Sequence, residues 1–176
     1  TLYLNGDRDK SVDIALTTVV SNGQIGGLPA ETARDERYDS LPHIWHEFPN
    51  RYIATLPDLT IDEKWTGVVQ DFNCISLHRE QAVALGVMDR WPEIRQRSID
   101  LYYMFLKQNF EDARAHDSMD GFAFWLLTDV PGGPEGDMNF LGIFSSVYEP
   151  EKYPDPAPIL DFNSETVLLM DADANQ

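Results

Sequence analysis

Residues 41–48 read LPHIWHEF, an apolar and aromatic run that Pro42 opens and Pro49 closes. A run of this kind is typical of a strand whose two faces are both covered, as in a parallel sheet. A second such run, GFAFWLLTDV, occupies residues 121–130 and stops at Pro131. The two runs therefore predict two buried strands.

Helical sequence separates these two strands. From residue 92 to about residue 115, apolar side chains recur at steps of three and four, which predicts a long amphipathic helix with a wide buried face. The positions on this face include Ile94, Ile99, Leu101, Tyr102, Tyr103, Phe105, Leu106 and Phe110. A shorter apolar helix is predicted over residues 79–88. Because a strand–helix–strand unit normally forms a parallel crossover, we expect an α/β fold with its ligand chemistry at the carboxyl ends of the strands.

The remaining segments carry weaker signals. Short strands are predicted over residues 2–4 and 14–20, and a long loop over residues 21–40. The four prolines of residues 149–158 predict an extended connector. Residues 164–170, which read SETVLLM, predict the start of a further strand.

The charge balance argues against two classes of partner. The 176 residues carry 13 Lys and Arg against 30 Asp and Glu, a formal net charge of −17. Nucleic-acid binding and docking on an anionic membrane both need a basic face, so neither is expected. The chain is nevertheless 43% apolar, and its nine Phe, seven Tyr and four Trp hint at neutral, ring-shaped ligands. The single Cys74 excludes an internal disulfide framework, and no apolar run reaches the roughly 18 residues of a membrane span.

Two carboxylates stand at the ends of the predicted strands, Glu47 and Asp129. A carboxylate at the end of a buried strand is costly to hold unless it is paired or used, so Glu47 is the first candidate for chemistry. The alternative is an acid that points into solvent or pairs with an arginine. Asp129 either caps a turn or lines a site. Trp125 is either a core residue or an aromatic platform under a sugar ring.

The pattern of His43, His46 and Glu47 invites comparison with a metal site. Zinc proteases use H-E-x-x-H on a helix, where the two histidines share one face. Here the two histidines are three residues apart on a predicted strand, so their side chains would lie on opposite faces. Metal ligation is therefore not favoured. His46 is better interpreted as a hydrogen-bonding neighbour of Glu47. The glycine pairs lack a phosphate-binding pattern, and neither a nucleophilic serine elbow nor a cysteine–histidine signature is present.

Four segments in chain order resemble glycoside hydrolase family 2, which includes β-galactosidases and β-glucuronidases. Residues 42–48 resemble the strand that carries the nucleophile, a proline and apolar residues followed by Glu and an aromatic. Residues 121–129 are similar to the family's last barrel strand, G-x-x-x-W-x-x-x-D. Residues 140–144 resemble the segment that follows it, and residues 163–169 resemble the start of the β-sandwich domain that commonly comes next.

The resemblance implies an architecture. The chain would be the C-terminal portion of a (β/α)8 TIM barrel, its last two strand–helix units, in a larger multidomain protein. Residues 1–160 would belong to the catalytic barrel and residues 161–176 to the following β-sandwich, and a start at Thr1 instead of Met fits such a fragment.

The resemblance also implies a chemistry, retaining hydrolysis of β-linked sugars in an oligo- or polysaccharide. Glu47 would be the catalytic nucleophile. Trp125 would stack against the bound sugar, Asp129 would lie at the rim of the site, and His46 would donate a hydrogen bond to Glu47. The family's acid/base lies in an Asn-Glu pair, and no such dipeptide occurs here, so the remainder of the parent polypeptide is expected to supply it. No cofactor or metal is implied.

Two other hypotheses stay open. The chain would be a non-catalytic carbohydrate-binding module, or a degenerate glycosidase without the acid/base, if it keeps the aromatic platform without the chemistry. It would be a structural or interaction domain if its aromatic residues are merely core. The sequence leaves the sugar, the linkage and the oligomeric state open. A periplasmic or extracellular location is favoured because polysaccharide-degrading relatives are often exported.

Overall fold

The structure is a computed structural model, and its described residues fall into eight ranges: 2–3, 14–18, 42–48, 55–64, 73–115, 120–130, 142–150 and 152–169. Within strands β1 to β3, most side chains are outside the description. The loop predicted over residues 21–40 also lies outside the described residues. Among the helices of these ranges, none combines the length and the apolar character that crossing a bilayer requires.

The chain divides into two compact units. The first, here called the sheet unit, comprises Thr1–Arg51, Phe105–Phe124 and Asp155–Gln176. The second, here called the helix–loop unit, comprises Tyr52–Met104 and Trp125–Pro154.

The sheet unit is built on four parallel strands in the order β1-β2-β3-β4. Their bounds are Leu2–Tyr3, Ile14–Thr18, His43–Phe48 and Gly121–Phe124. Four predicted strands are thus confirmed, and the parallel pairing of β3 with β4 confirms the predicted relationship of the two principal strands. The α/β class is confirmed.

The described residues contain three α-helices, which are α1 (Asn73–Ala84), α2 (Trp91–Ala115) and α3 (Ala157–Phe162). In chain order α1 and α2 lie between β3 and β4, as a strand–helix–strand unit requires. The long helix predicted over residues 92–115 is confirmed by α2. Within the same described residues, two short 3-10 helices span Ile61–Lys64 and Met88–Arg90.

β4 is shorter than the strand predicted over residues 121–130. It pairs with β3 only as far as Phe124, whose partner Phe48 is itself the last residue of β3. β4 ends at Phe124 and is followed by a bend at Trp125; farther along, Thr128 forms an isolated bridge with Phe144. Ala123 is exposed within β4, so the prediction of a strand covered on both faces was wrong for this stretch.

Phe110 of α2 organises the core of the sheet unit. Its ring centroid lies 5.0 Å from that of Phe48, 4.9 Å from Phe122 and 5.0 Å from Phe162. These contacts join α2 to β3, to β4 and to α3. Edge and tilted contacts of this kind add to the free energy gained from burying the rings.

The strand predicted over residues 164–170 does not form between Ser164 and Leu169, where bends at residues 164–166 are followed by three residues without regular structure. The guanidinium of Arg114 donates hydrogen bonds to the carbonyls of Ser164 (2.6 Å) and Glu165 (3.0 Å), and the Ser164 hydroxyl donates to the carbonyl of Thr166 (2.6 Å). Backbone carbonyls that would accept hydrogen bonds from a neighbouring strand in a sheet therefore accept them from side chains instead.

The core of the helix–loop unit forms around Trp91, the first residue of α2. Its indole is packed with Leu59, Ile61, Ile75 and Ala82, all buried. The indole Nε1 also donates a hydrogen bond to the Pro57 carbonyl over 3.0 Å, so the polar group of this buried ring is satisfied.

The helix predicted over residues 79–88 begins earlier and ends earlier, as α1 from Asn73 to Ala84. Gly86 has φ of +66° and stops it, since the Gly86 N–H bonds the Val83 carbonyl and the Val87 N–H bonds the Ala82 carbonyl. This is the Schellman arrangement, which glycine allows without strain.

Candidate functional site

Glu47 and His46 lie in an irregular part of β3. The register pairs Trp45 with Phe122 and Phe48 with Phe124, so His46 and Glu47 together stand opposite the single residue Ala123. This is a one-residue bulge, a feature that is over-represented next to active sites because it re-aims side chains. The side chains of Glu47 and His46 lie outside the described residues, and their predicted roles stay predictions.

His43 lies at the other end of β3 and is buried. Its backbone N–H donates to Oδ2 of Asp120 over 2.8 Å, and the Asp120 N–H donates to the His43 carbonyl over 2.8 Å. This reciprocal pair holds the amino ends of β3 and β4 together. In the part of the chain that the structure describes, no group of three or more His, Cys, Asp or Glu could hold a metal ion.

Trp125 is the first residue after β4 and leaves 43% of its surface exposed. Its peptide bond to Leu126 is cis. This exposure leaves the indole accessible for contact with a ligand, and the predicted role of Trp125 under a sugar stays a prediction. Leu127, two residues on, is exposed as well.

Asp129 is buried and forms an ion pair with Lys152. The ammonium Nζ of Lys152 lies 2.6 Å from Oδ1 of Asp129, and the Gly142 N–H donates to the same oxygen over 2.9 Å. Lys152 also donates to the Gly142 carbonyl over 2.9 Å. These contacts match the alternative in which Asp129 fixes a turn, whereas its position at the rim of a sugar site stays a prediction.

Gly142 lets two backbone segments meet closely. A Cβ atom at this position would come within 2.3 Å of the Asp129 nitrogen and 2.8 Å of the Phe144 carbonyl oxygen. The same segments exchange backbone hydrogen bonds, from Asp129 N–H to the Phe144 carbonyl and from Phe144 N–H to the Leu127 carbonyl, each 3.0 Å long. The backbone hydrogen bonds of Leu127 and Asp129 with Phe144 thus hold the segment that follows Trp125 in place.

Two buried tyrosines belong to the same unit as the Asp129–Lys152 pair. Burial raises the pKa of Tyr102 well above its ordinary value, and interactions with Tyr153 and Asp129 raise it further. Burial likewise raises the pKa of Tyr153, with Asp129 as the next cause. Both hydroxyls therefore keep their protons at neutral pH. The Tyr153 hydroxyl is buried and has no hydrogen-bond partner within the described part of the chain.

Sequence reasoning singled out Asp129 but missed its partner. Lys152 lies 23 residues further on, in the proline-rich stretch that was interpreted as a connector. A lone lysine in an irregular segment has no periodicity to reveal it. Gly142 fell inside the segment that resembles the family, but its close backbone packing could not be inferred from a single sequence.

The predicted site residues divide between the two units. Glu47 and His46 belong to the sheet unit, and Trp125 and Asp129 belong to the helix–loop unit. Comparison with known proteins found no matching family model, no matching curated protein and no matching solved structure. The function is therefore argued from the residues and their geometry.

Proposed function

We propose that the chain is the C-terminal part of the catalytic barrel of a retaining glycosidase that acts on β-linked sugars, similar to glycoside hydrolase family 2. The observation that carries the proposal is the bulge in β3, which holds Glu47 one residue before the carboxyl end of the strand. In parallel α/β folds and barrels, catalytic groups stand at these carboxyl ends.

The pairing of the strand ends supports the same proposal. Phe48 and Phe124 are the last residues of β3 and β4 and are register partners, so both strands end at one edge of the sheet. In the chain, Glu47 directly precedes Phe48 and Trp125 directly follows Phe124. An exposed indole by itself suits a sugar site, since an aromatic face offers an apolar platform for the C–H face of a pyranose.

The proposed reaction is a double displacement. The Glu47 carboxylate attacks the anomeric carbon, the bond to the leaving oxygen breaks, and an acid/base from the remainder of the polypeptide protonates that oxygen. Water, deprotonated by the same acid/base, then attacks the anomeric carbon and releases the sugar and Glu47. The charge of −17 suits a neutral sugar better than an anionic one.

The test is covalent trapping in the full-length protein that carries this chain. Activated 2-deoxy-2-fluoro-β-glycosides of glucose, galactose and mannose, and the corresponding glucuronide, are incubated with the protein, and the labelled peptide is identified by mass spectrometry. We expect the label on Glu47. A label on another carboxylate would overturn the assignment.

Kinetics provide the matched comparison. With p-nitrophenyl β-glycosides, Glu47→Gln is expected to lower turnover by about 100-fold or more, because the nucleophile is lost. Glu93→Gln is the control, since Glu93 is an exposed carboxylate on α2. A loss of less than tenfold in Glu47→Gln would contradict the proposal.

A non-catalytic carbohydrate-binding module is the second candidate, because an exposed Trp125 serves binding as well as catalysis. It predicts that the full-length protein binds β-glycans but acquires no label. The two candidates are therefore separated by the trapping experiment.

A further inference from the structure

Tyr148 has an unusual backbone conformation for a residue with a side chain. Its φ is +63°, in the left-handed region where a Cβ atom crowds the following carbonyl and where glycine or asparagine is the ordinary choice. The ring does not offset this cost by burial, because 74% of the residue is exposed. Strained residues of this kind cluster at ligand-binding sites, which makes Tyr148 a candidate for function.

The turn around Tyr148 is firmly held. Ser145 is buried, its N–H donates to the Glu149 carbonyl over 2.9 Å, and its own carbonyl accepts the Tyr148 N–H over 2.9 Å. Its hydroxyl oxygen accepts the N–H groups of Val147 (3.3 Å) and Glu149 (3.1 Å). The exposed ring is therefore carried on an ordered backbone, so a ligand that binds it orders little additional chain.

The turn is joined to the segment that carries Trp125, within the helix–loop unit. Phe144, four residues before Tyr148, exchanges backbone hydrogen bonds with Leu127 and Asp129, and Leu127 is two residues after Trp125. Two exposed aromatic side chains thus stand on two segments that are bonded side by side.

We propose that Tyr148 is an additional sugar-binding platform, which contacts a second ring of an oligo- or polysaccharide whose first ring contacts Trp125. The inference rests on the proposed function and deepens it, since it assigns a polymeric substrate. The ligand is a neutral glycan because the chain carries a net charge of −17, which disfavours polyanions. The tyrosine ring supplies an apolar face, and its hydroxyl can bond a sugar hydroxyl.

Affinity electrophoresis tests this binding without turnover. The full-length protein carrying Glu47→Gln is run in native gels that contain hydroxyethyl cellulose, β-1,4-galactan, galactomannan or xylan. We expect retardation in at least one gel. In that gel, adding Tyr148→Asn or Tyr148→Ala weakens the affinity about fivefold or more, and adding Tyr148→Phe changes it less than twofold.

The asparagine variant separates binding from folding. Because asparagine tolerates positive φ, Tyr148→Asn is expected to unfold at the same temperature as its parent or at a higher one, so lost binding would report the ring and not the turn. The inference is overturned if no gel retards the parent, or if Tyr148→Asn migrates like the parent in every gel. Label on Glu47 without ring-dependent binding would leave the glycosidase standing and remove only the Tyr148 platform. Binding that depends on the Tyr148 ring, without label on Glu47, would remove the assignment of Glu47 as the nucleophile and leave the Tyr148 platform standing.

Discussion

Lys152 and Asp129 form a buried ion pair, with Nζ and Oδ1 2.6 Å apart and only 1% and 6% of the two side chains exposed. Removing two charges from water is costly, and the attraction between them returns that cost only when the remaining hydrogen bonds are made as well. Here Gly142 provides both a donor to Asp129 and an acceptor for Lys152. The ion pair and these two hydrogen bonds therefore hold Lys152 and Gly142 against Asp129, which lies in the segment that follows Trp125.

Breaking this pair on one side should destabilise the protein strongly. Lys152→Met leaves a buried carboxylate without its counter-charge, and we expect the free energy of unfolding to fall by about 3–5 kcal/mol. Adding Asp129→Asn to Lys152→Met should recover part of the loss. The control is Lys64→Met, because the Lys64–Glu149 pair is exposed and should contribute less than about 1 kcal/mol. Urea unfolding at pH 7 measures the free energy of unfolding of the two single variants and of the double variant. Equal losses of this free energy in Lys152→Met and Lys64→Met would contradict the prediction.

Gly142→Ala should cost about 3 kcal/mol or more, the upper end of overpacking penalties. The added Cβ would meet backbone atoms of Thr128 and Asp129 at 2.3 Å, and backbone cannot rotate aside as a side chain can. Gly86→Ala is the matched control. Its Cβ would meet nothing within 4 Å, so only the strain of positive φ, about 1 kcal/mol, is expected. If both variants unfold at the same urea concentration, the close approach at Gly142 is not present.

The sequence predicted those elements whose signal is long and periodic. α2 begins within one residue of its predicted start, because apolar side chains recur over seven turns of helix. The end of β4 could not be predicted, since the run of residues 121–130 is apolar beyond the point at which its partner strand stops at Phe48. Strand length depends on the neighbouring strand, which local sequence does not reveal.

Proline content misled the interpretation of residues 149–158. Four prolines predicted an extended connector, yet Pro156 caps α3 and Pro158 lies in its first turn, where proline's missing N–H is not needed. For the candidate site, the residue types in the sequence were informative, but the contacts that these residues make in the folded chain could not be inferred from it. Glu47, Trp125 and Asp129 were singled out as residues with chemistry, but only the folded chain pairs Asp129 with Lys152.

Tyr153→Phe should stabilise the protein at neutral pH by about 1 kcal/mol. The Tyr153 hydroxyl is buried without a hydrogen-bond partner among the described residues, and such a group loses its bonds to water on folding without replacement. Tyr148→Phe is the control, because Tyr148 is exposed and a surface change of this size should stay within about 0.5 kcal/mol. A loss of stability in Tyr153→Phe would mean that the hydroxyl does bond a partner.

Phe110→Ala should destabilise the sheet unit by about 3–5 kcal/mol, the usual cost of removing a buried ring. Its ring touches those of Phe48, Phe122 and Phe162, so its loss leaves a cavity between a helix and two strands. Leu160→Ala on α3 is the control, since Leu160 is exposed and should contribute little. Far-ultraviolet circular dichroism during urea unfolding measures both variants, and a small effect of Phe110→Ala would show that the aromatic cluster does not support the sheet.

The protein should lose stability above about pH 10 because of Tyr102 and Tyr153. Burial raises the pKa of both tyrosines above the ordinary value of 10.0. In the unfolded chain they ionise near pH 10, whereas in the folded protein they keep their protons. The unfolded state therefore binds fewer protons, and the free energy of unfolding falls by up to about 1.4 kcal/mol per pH unit for each tyrosine.

Below pH 10 both states hold the two protons, so this contribution to stability is fully present there and is lost only on the alkaline side. Urea midpoints at pH 9, 10, 10.5 and 11 test the sign. Tyr153→Phe should show a shallower decline than the unmodified chain, because one of the two raised groups is gone. Leu160→Ala keeps every tyrosine and should decline as steeply as the unmodified chain. If Tyr153→Phe and Leu160→Ala decline in parallel, Tyr153 does not remain protonated in the folded protein above pH 10.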